Sequence, residues 1–176
     1  MLVAATNARP SSLLPAPVRS AEKRSFTSHD GTALFYRCWP ALRGSQRDAV
    51  LLLHREREHS GRVQHLAEEL ELDRHAFFAW DARGHGCSPG ARGDAPGAGC
   101  LIKDLDAFVR HIGNHHGIAT DRVHVIALGA SAVVAAAWAH DYAPRVASLI
   151  LAAAAFECRG LTSLAPNGLR ALQRRC

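Results

Sequence analysis

The sequence predicts an α/β domain built on a mostly parallel sheet with helices on both faces. Short apolar runs of strand length alternate along the 176-residue chain with segments whose apolar residues recur at helical spacing. Strands that alternate with helices are joined by crossover connections of one hand, which make neighbouring strands parallel. A turn dipeptide ahead of this alternation adds an opening β-hairpin to the prediction.

The strands are predicted from the continuity of apolar residues and from turn chemistry. Two extended runs between residues 25 and 39 flank Asp30-Gly31, which suits a tight hairpin turn because glycine tolerates positive φ. Runs without polar alternation are typical of strands that are covered on both faces. The parallel strands are predicted at residues 49–53, 76–80, 123–128 and 146–155.

The helices are predicted from an apolar period close to that of the α-helix. They are expected at residues 60–72, from residue 101 to about 113, and at residues 131–142. The second helix is expected to end near Gly113-Asn114, since both residues tolerate the left-handed conformation of a C-cap, and the third before Pro144. The glycine-rich stretch at residues 81–99 is predicted to be a long loop.

The composition is that of an ordinary globular domain and argues against several classes of function. The net charge of +5 comes partly from arginines near the two ends rather than from one interior stripe, so we expect no nucleic acid partner. No apolar run is long enough to span a bilayer. The sequence lacks phosphate-binding signatures and metal-ligand spacing, so we expect no cofactor and no metal. Five widely spaced cysteines favour reduced thiols and a cytoplasmic location.

Three segments follow the predicted parallel strands and are expected at the sheet edge where ligands bind in such folds. They are His54-Arg55, residues 81–89 and residues 129–133. The last segment reads Gly-Ala-Ser-Ala-Val and resembles the nucleophile elbow G-x-S-x-G, with Val133 in place of the final glycine. Ser131 is therefore the candidate nucleophile. The amide of Ala132 is the candidate oxyanion donor, because a helix amino-terminus stabilises developing negative charge.

Residues 80–88 carry the most specific resemblance in the chain. They read Trp-Asp-Ala-Arg-Gly-His-Gly-Cys-Ser and resemble the D-x-R-G-H-G-x-S loop of α/β-hydrolases of the monoacylglycerol lipase, lysophospholipase and serine aminopeptidase S33 type. The resemblance implies the amino-terminal portion of an α/β-hydrolase fold, with a small-molecule ester or lipid as substrate. It also implies that Asp81, Arg83 and His85 belong to a structural loop that braces the site.

A second resemblance changes the register of the elbow. The segments Glu58 to Arg62 and Trp138 to Pro144 are similar to bacterial hydrolase domains that are sometimes fused to a methyltransferase. If Trp138 sets the register, the nucleophile position of that family falls at Gly129 rather than at Ser131. Both registers remain open from the sequence alone.

The loop after the first parallel strand also departs from the resembled family. There this loop supplies the second oxyanion amide, which the resemblance assigns here to Arg55. Glu56 stands where the family has glycine. A negative charge is therefore expected close to any developing oxyanion, which would hinder catalysis.

The order of the remaining catalytic groups argues against a complete enzyme. In α/β-hydrolases the nucleophile is followed along the chain by an acid and then by a histidine. After Ser131 the sequence offers only His140, Asp141 and Glu157, and no histidine follows either acid. We therefore expect a truncated serine hydrolase that is weakly active or inactive. The alternative is a non-catalytic pseudo-hydrolase or partner-binding half-domain.

The predicted elements divide the chain into three parts and leave one edge open. A disordered leader is expected at residues 1–24, an incomplete hydrolase domain at 25–156, and a loop and short helix that begin a missing cap or remainder at 157–176. The last strand would form an unfinished sheet edge, so self-association is predicted. Asp104 is expected to be solvated, paired at most with Lys103 or Arg110.

Overall fold

A computed structural model describes residues 19–44, 47–93 and 97–153 and has one six-stranded sheet flanked by helices. The strands are β1 Glu22–Thr27, β2 Ala33–Trp39, β3 Asp48–Leu53, β4 His75–Trp80, β5 Val123–Leu128 and β6 Ser148–Ala152. The α-helices are α1 Gln64–Glu69, α2 Ala98–His116 and α3 Ala130–Tyr142, with 3-10 turns at Ser60–Val63 and Thr120–Arg122. Most of the predicted leader and the whole predicted terminal segment lie outside the described residues.

The sheet has the order β1-β2-β4-β3-β5-β6. Strands β1 and β2 form the predicted hairpin, and β2 pairs antiparallel with β4. The other pairs, β3 with β4, β3 with β5 and β5 with β6, are parallel. The predicted class, a mostly parallel sheet with an opening hairpin, is therefore confirmed. Because β3 and β5 are neighbours, the segments that follow them meet at one edge of the sheet.

The hydrophobic core consists of two layers, one on each face of the sheet. The larger layer joins alternate strand residues to α2 and α3, and Phe108 and Trp138 are fully buried in it. The smaller layer packs Val63 and Ala67 against Trp39 and Phe77. Residues of one strand alternate between the two layers, as Leu51 and Leu52 do, which explains why the central strands have no polar alternation.

Two helix ends differ from the sequence prediction. The first helix ends at Glu69 instead of residue 72, and Glu71 has a left-handed backbone with φ 50°. Helix α2 continues past Gly113-Asn114 to His116, because the N–H of Gly117 bonds to the carbonyl of Gly113 and Gly117 itself adopts φ 67°. A second glycine four residues further on therefore provides the C-cap.

The chain is ordered earlier than the predicted domain boundary at residue 25. Strand β1 begins at Glu22, and the buried Arg19 donates to the carbonyls of Pro40, His75 and Leu72 at 2.7–3.0 Å. Its guanidinium also lies 4.8 Å from the centre of the Phe77 ring. Residues 19–24, which the sequence assigned to the leader, thus belong to the folded domain.

Strand β6 lies at the edge of the sheet. Among the described residues it pairs with β5 alone, and it begins at Ser148, two residues after the start of the strand predicted at 146–155, of which residues 154–155 lie outside the described ranges. The side chains of Ile150 and Leu151 are 50% and 38% exposed. The sequence predicts self-association because its last strand would form an unfinished sheet edge, and these apolar side chains are exposed at that edge.

Candidate active site

The sharpest backbone turn at the candidate site is Gly129, the single residue between β5 and α3. Its φ of 58° and ψ of −126° are strained for any residue with a side chain. The N–H of Gly129 bonds to the carbonyl of Ala152 at 3.0 Å, which ties the turn to β6. A nucleophile elbow is a strained strand-to-helix turn of this kind. The structure thus puts Gly129, rather than Ser131, at the turn.

Ser131 lies inside the first turn of α3, beyond that strained position. Its hydroxyl donates to the backbone carbonyl of His54 at 2.6 Å and is partly buried. The N–H of Ala132 donates to the carbonyl of Gly129 at 3.1 Å. The hydroxyl and the amide that the sequence selected as nucleophile and oxyanion donor are therefore both engaged by backbone carbonyls.

The amide that points out of the turn belongs to Ala130. Its N–H donates to the carboxylate of Glu56 at 3.0 Å, and this bond lowers the pKa of Glu56 below its ordinary value. A Cβ placed on Gly129 would lie 2.7 Å from the same carboxylate oxygen. Glu56 therefore fills the space that a side chain at position 129 would need. The sequence identified Glu56 as a misplaced charge but gave no sign of its partner.

The amide of Arg55 has a weaker partner than a preorganised oxyanion donor requires. Its N–H faces the carboxylate of Glu58 at 3.3 Å, within a turn closed by the bond from the Glu58 N–H to the Arg55 carbonyl. Arg55 itself is exposed, and its side chain lies beside Gly129. Of the two predicted oxyanion donors, the Arg55 amide thus faces a carboxylate of its own loop, whereas the Ala132 amide bonds to the Gly129 carbonyl.

His54, whose backbone carbonyl accepts the Ser131 hydroxyl, has an imidazole that is held in a fixed, neutral form. The Nε2 atom of His54 accepts the N–H of Ala82 at 3.1 Å, so the proton is on Nδ1, which donates to the carbonyl of Arg55 at 2.6 Å. Burial lowers the pKa of His54, which is 2% exposed. Because its one lone pair is already used, this imidazole cannot accept a proton from the Ser131 hydroxyl.

Asp81 holds the loop after β4 in place. One carboxylate oxygen accepts the N–H of Ser60 at 2.6 Å and the other accepts the N–H of Cys87 at 2.7 Å. Ser88 donates its hydroxyl to the Asp81 carbonyl at 2.5 Å and accepts the N–H of Phe35. His85 bonds through Nδ1 to the carbonyl of Arg83, its neighbour in the same loop. These contacts are internal to the scaffold.

Arg83 forms a buried ion pair that the sequence did not predict. Its guanidinium donates to both oxygens of Asp104, at 2.6 Å from Nε and 2.8 Å from Nη2. Asp104 is fully buried and also accepts the hydroxyl of Ser28, so the expectation of a solvated Asp104 was wrong. The prediction failed because the sequence does not reveal that the loop after β4 folds back over α2. Arg83 further donates to Asp30 and Thr32 of the hairpin turn.

The two other candidate groups after Ser131 within the described residues pair with each other. The Nδ1 atom of His140 lies 2.9 Å from a carboxylate oxygen of Asp141. Both side chains are exposed, at 76% and 41%, near the far end of α3. Glu157 lies outside the described residues. The structure therefore brings no acid and histidine to the turn from this part of the chain.

Together, the sheet order, the strained turn after β5 and the loop after β4 define an α/β-hydrolase fold, and comparisons with solved structures give the same class. The chain superposes on α/β hydrolase GrgF from Penicillium sp. sh18 with a TM-score of 0.63 at 25% identity, over 76% of this chain and 45% of that one. A carboxyl esterase from Bacillus coagulans matches with a TM-score of 0.62 at 17% identity, over 74% of this chain and 43% of that one. The esterase EaEST from Exiguobacterium antarcticum gives 0.61 at 17% identity, over 75% and 45%.

Residues 44–175 match the model of the serine aminopeptidase S33 family, and the chain belongs to that family. The chain is also 46% identical to the uncharacterized protein YnbC of Escherichia coli (strain K12) in an alignment of 144 residues, and this alignment covers 82% of the chain. The chain spans 25% of the length of that curated relative and less than half of each solved structure named above.

No helix in the described ranges, residues 19–44, 47–93 and 97–153, has the length and apolar character needed to cross a membrane.

Proposed function

We propose that this chain is a non-catalytic member of the hydrolase family, a pseudo-hydrolase domain that lacks a working serine nucleophile. The observation that carries the proposal is the strained turn at Gly129, which has no side chain at the position where the family fold presents one. A serine elsewhere in the turn does not replace it, because nucleophile geometry depends on that one backbone position.

The surroundings of Ser131 support the same proposal. Its hydroxyl donates to the backbone carbonyl of His54, and the imidazole of that histidine uses its lone pair on the amide of Ala82. A serine hydroxyl without a base is a poor nucleophile at neutral pH. Loss of triad members removes several powers of ten in rate.

Glu56 would also oppose the chemistry electrostatically. An oxyanion hole works because N–H donors point at a position where negative charge develops. In this chain a carboxylate already accepts the N–H of Ala130, next to the turn. A substrate carbonyl would have to displace this carboxylate and would then develop its charge beside it. We further propose that Asp81, Arg83 and His85 stabilise the loop after β4 and take no part in a reaction.

The competing function is hydrolysis of a small-molecule ester or lipid, of the lysophospholipase or monoacylglycerol lipase kind, with Ser131 as nucleophile. Membership of the serine aminopeptidase S33 family favours it. In that case the chain would depend on residues beyond those described here for its acid and histidine. A cytoplasmic location, expected from the spacing of the cysteines, is part of both proposals.

The experiment that separates the two uses a fluorophosphonate probe, which labels activated serines. The chain is treated with the probe beside Ser131→Ala and a matched control, Ser148→Ala, whose hydroxyl bonds to His124 on the neighbouring strand. We expect no label above that of Ser131→Ala, and rates of p-nitrophenyl ester hydrolysis that are equal in all three proteins. Stoichiometric labelling that disappears in Ser131→Ala and persists in Ser148→Ala would overturn the proposal.

A further inference from the structure

Three side chains of different metal-binding chemistry meet where the hairpin turn contacts the start of α2. They are His29 and Asp30, which are exposed in the β1–β2 turn, and Cys100, which is partly buried in the first turn of α2. One ligand atom from each lies within 4.8 Å of the others. We call this group the turn–helix cluster. It lies outside the turn after β5 and has no part in the function proposed above.

The spacing between Cys100 and His29 fits a tetrahedral zinc ion. The Sγ atom of Cys100 lies 3.6 Å from Nε2 of His29. A tetrahedral ion with Zn–S of about 2.3 Å and Zn–N of about 2.0–2.1 Å separates sulfur from nitrogen by about 3.5 Å. The two atoms are thus already spaced as two corners of such a site, without movement of the backbone.

The third ligand is oriented by its neighbours. Asp30 accepts Nη2 of Arg83 at 2.8 Å and the N–H of Thr32 at 3.0 Å, and both bonds end on the same oxygen, Oδ1. These bonds orient the carboxylate, and one of its oxygens lies within 4.8 Å of the ligand atoms of His29 and Cys100. Carboxylates that bind metals are commonly held by such outer hydrogen bonds.

The local charge also favours a cation. The carboxylates of Asp30 and the fully buried Asp104 share one guanidinium, that of Arg83, so the group carries an excess negative charge even with the thiol protonated. Oδ1 of Asp104 lies 3.6 Å from Nε2 of His29, where it adds negative potential beside the imidazole ligand. A thiolate at Cys100 would increase the imbalance, and a divalent ion would compensate it.

We propose that the turn–helix cluster is a zinc site, with Nε2 of His29, Sγ of Cys100 and a carboxylate oxygen of Asp30 as ligands and solvent in the remaining position. A mixed set of thiolate, imidazole and carboxylate is the donor chemistry that zinc takes in proteins. Because the ligands come from the hairpin turn and from α2, the bound ion ties the antiparallel end of the sheet to that helix.

Cobalt(II) titration of the whole chain tests the site, since a cobalt–thiolate bond gives a charge-transfer band in the near ultraviolet. We expect this band at one equivalent of Co²⁺ and its displacement by Zn²⁺. Cys100→Ser should abolish the band. His29→Gln keeps the thiol and should weaken cobalt binding by about tenfold or more, because even the loss of a residue that only hydrogen-bonds to a metal ligand lowers metal affinity by about tenfold. The matched controls are Cys87→Ser, which changes an exposed thiol outside the cluster, and His140→Gln, which changes an exposed imidazole outside it. Both should behave as the unchanged chain.

Alkylation with peptide mapping gives a second readout that does not depend on a variant folding. Zn²⁺ at one equivalent should slow the reaction of Cys100 with N-ethylmaleimide at least tenfold and leave Cys87 unchanged. The proposal is overturned if the cobalt band survives in Cys100→Ser, if no band forms, or if zinc protects the two thiols equally.

Discussion

The loop after β4 and the turn after β5 lie at the same edge of one sheet, yet they are built in opposite ways. In the β4 loop every charged group considered above is buried and paired, with Asp81 accepting backbone N–H groups and Arg83 holding Asp104. At the β5 turn the backbone amide of Ala130 is held by Glu56, an exposed side chain on a neighbouring loop. The first region is fixed by buried pairs, whereas in the second the amide next to the strained turn is held by an exposed carboxylate.

The contrast separates what the family fold needs for stability from what its chemistry needs. The β4 loop carries the sequence that most resembles the family, and its side chains bond within the fold. The β5 turn keeps the family backbone but has glycine where a nucleophile would stand. In this chain, a close match to the family motif therefore indicates the scaffold of the family rather than its nucleophile.

Arg83→Met should destabilise the domain most. It removes the guanidinium partner of Asp104, which is 0% exposed, and breaking a buried ion pair from one side costs about 3–5 kcal/mol. The free energy of unfolding in urea measures it. The control is Arg110→Met, whose surface pair with Asp106 should contribute about 0–1 kcal/mol. Equal losses in both variants would contradict a special role for the β4 loop.

Gly86→Ala should be the next most harmful change. Gly86 has φ 50°, and an added Cβ would meet the carboxylate of Asp81, so both strain and a clash act on the loop. We expect a loss of about 2 kcal/mol or more, since a strained residue alone costs about 1–3 kcal/mol. Gly93→Ala is the matched control, because Gly93 has φ 73° with nothing within 4 Å of the added carbon. Thermal unfolding should separate the two variants, and coincident curves would refute the clash.

Gly129→Ala should cost less than Gly86→Ala, although its backbone is equally strained. The added carbon would meet the far end of the Glu56 side chain, which can move away, so the cost is mainly that of φ 58°, about 1–3 kcal/mol. In the Glu56→Ala background the loss should shrink by about 0.5 kcal/mol, within the coupling seen for contacting residues. Strict additivity in this double-mutant cycle would show that the two residues do not compete for space.

A smaller effect is expected from pH at the β5 turn. The bond from Ala130 lowers the pKa of Glu56, so it stabilises the fold above the ordinary glutamate pKa and is lost as pH falls through the lowered value. The amide proton of Ala130 followed by NMR should therefore titrate with a midpoint below about 4.3, the ordinary glutamate value. Glu56→Gln should remove the titration. A midpoint above the ordinary value would contradict the bond.

The smallest change to the fold itself is expected at the sheet edge. Ile150→Lys puts a charge on the exposed side of β6 and should leave the unfolding free energy nearly unchanged, because Ile150 is already 50% exposed. It should, however, reduce the self-association that we predict for the unchanged chain. Sedimentation velocity at several concentrations measures this, and a monomer at all concentrations in both proteins would refute the prediction.

The sequence was sufficient for most of the fold because the apolar pattern of the strands is strong. Continuous runs such as residues 49–53 correspond to observed strands within one or two residues. The helix ends were harder, since Gly113 and Gly117 offer two C-caps four residues apart and the choice depends on packing of α2. The role of Arg19 was not predictable either, because its three carbonyl partners come together only in the folded sheet.

The site was predicted less completely, for a physical reason. Motif spacing gave two registers for the turn after β5, and only backbone dihedral angles distinguish Gly129 from Ser131 as its strained residue. Glu56 could be recognised as unusual from its position after His54. Its bond to Ala130 joins residues 74 positions apart, and the Arg83–Asp104 pair spans 21, so neither has a local signal in the sequence.

The arrangement of Gly129 and Glu56 has a consequence for engineering this turn. A serine introduced at position 129 would arrive in space held by a carboxylate, and removal of that carboxylate alone would leave the amide of Ala130 without its partner. A serine at position 129 beside an open amide therefore requires both changes together.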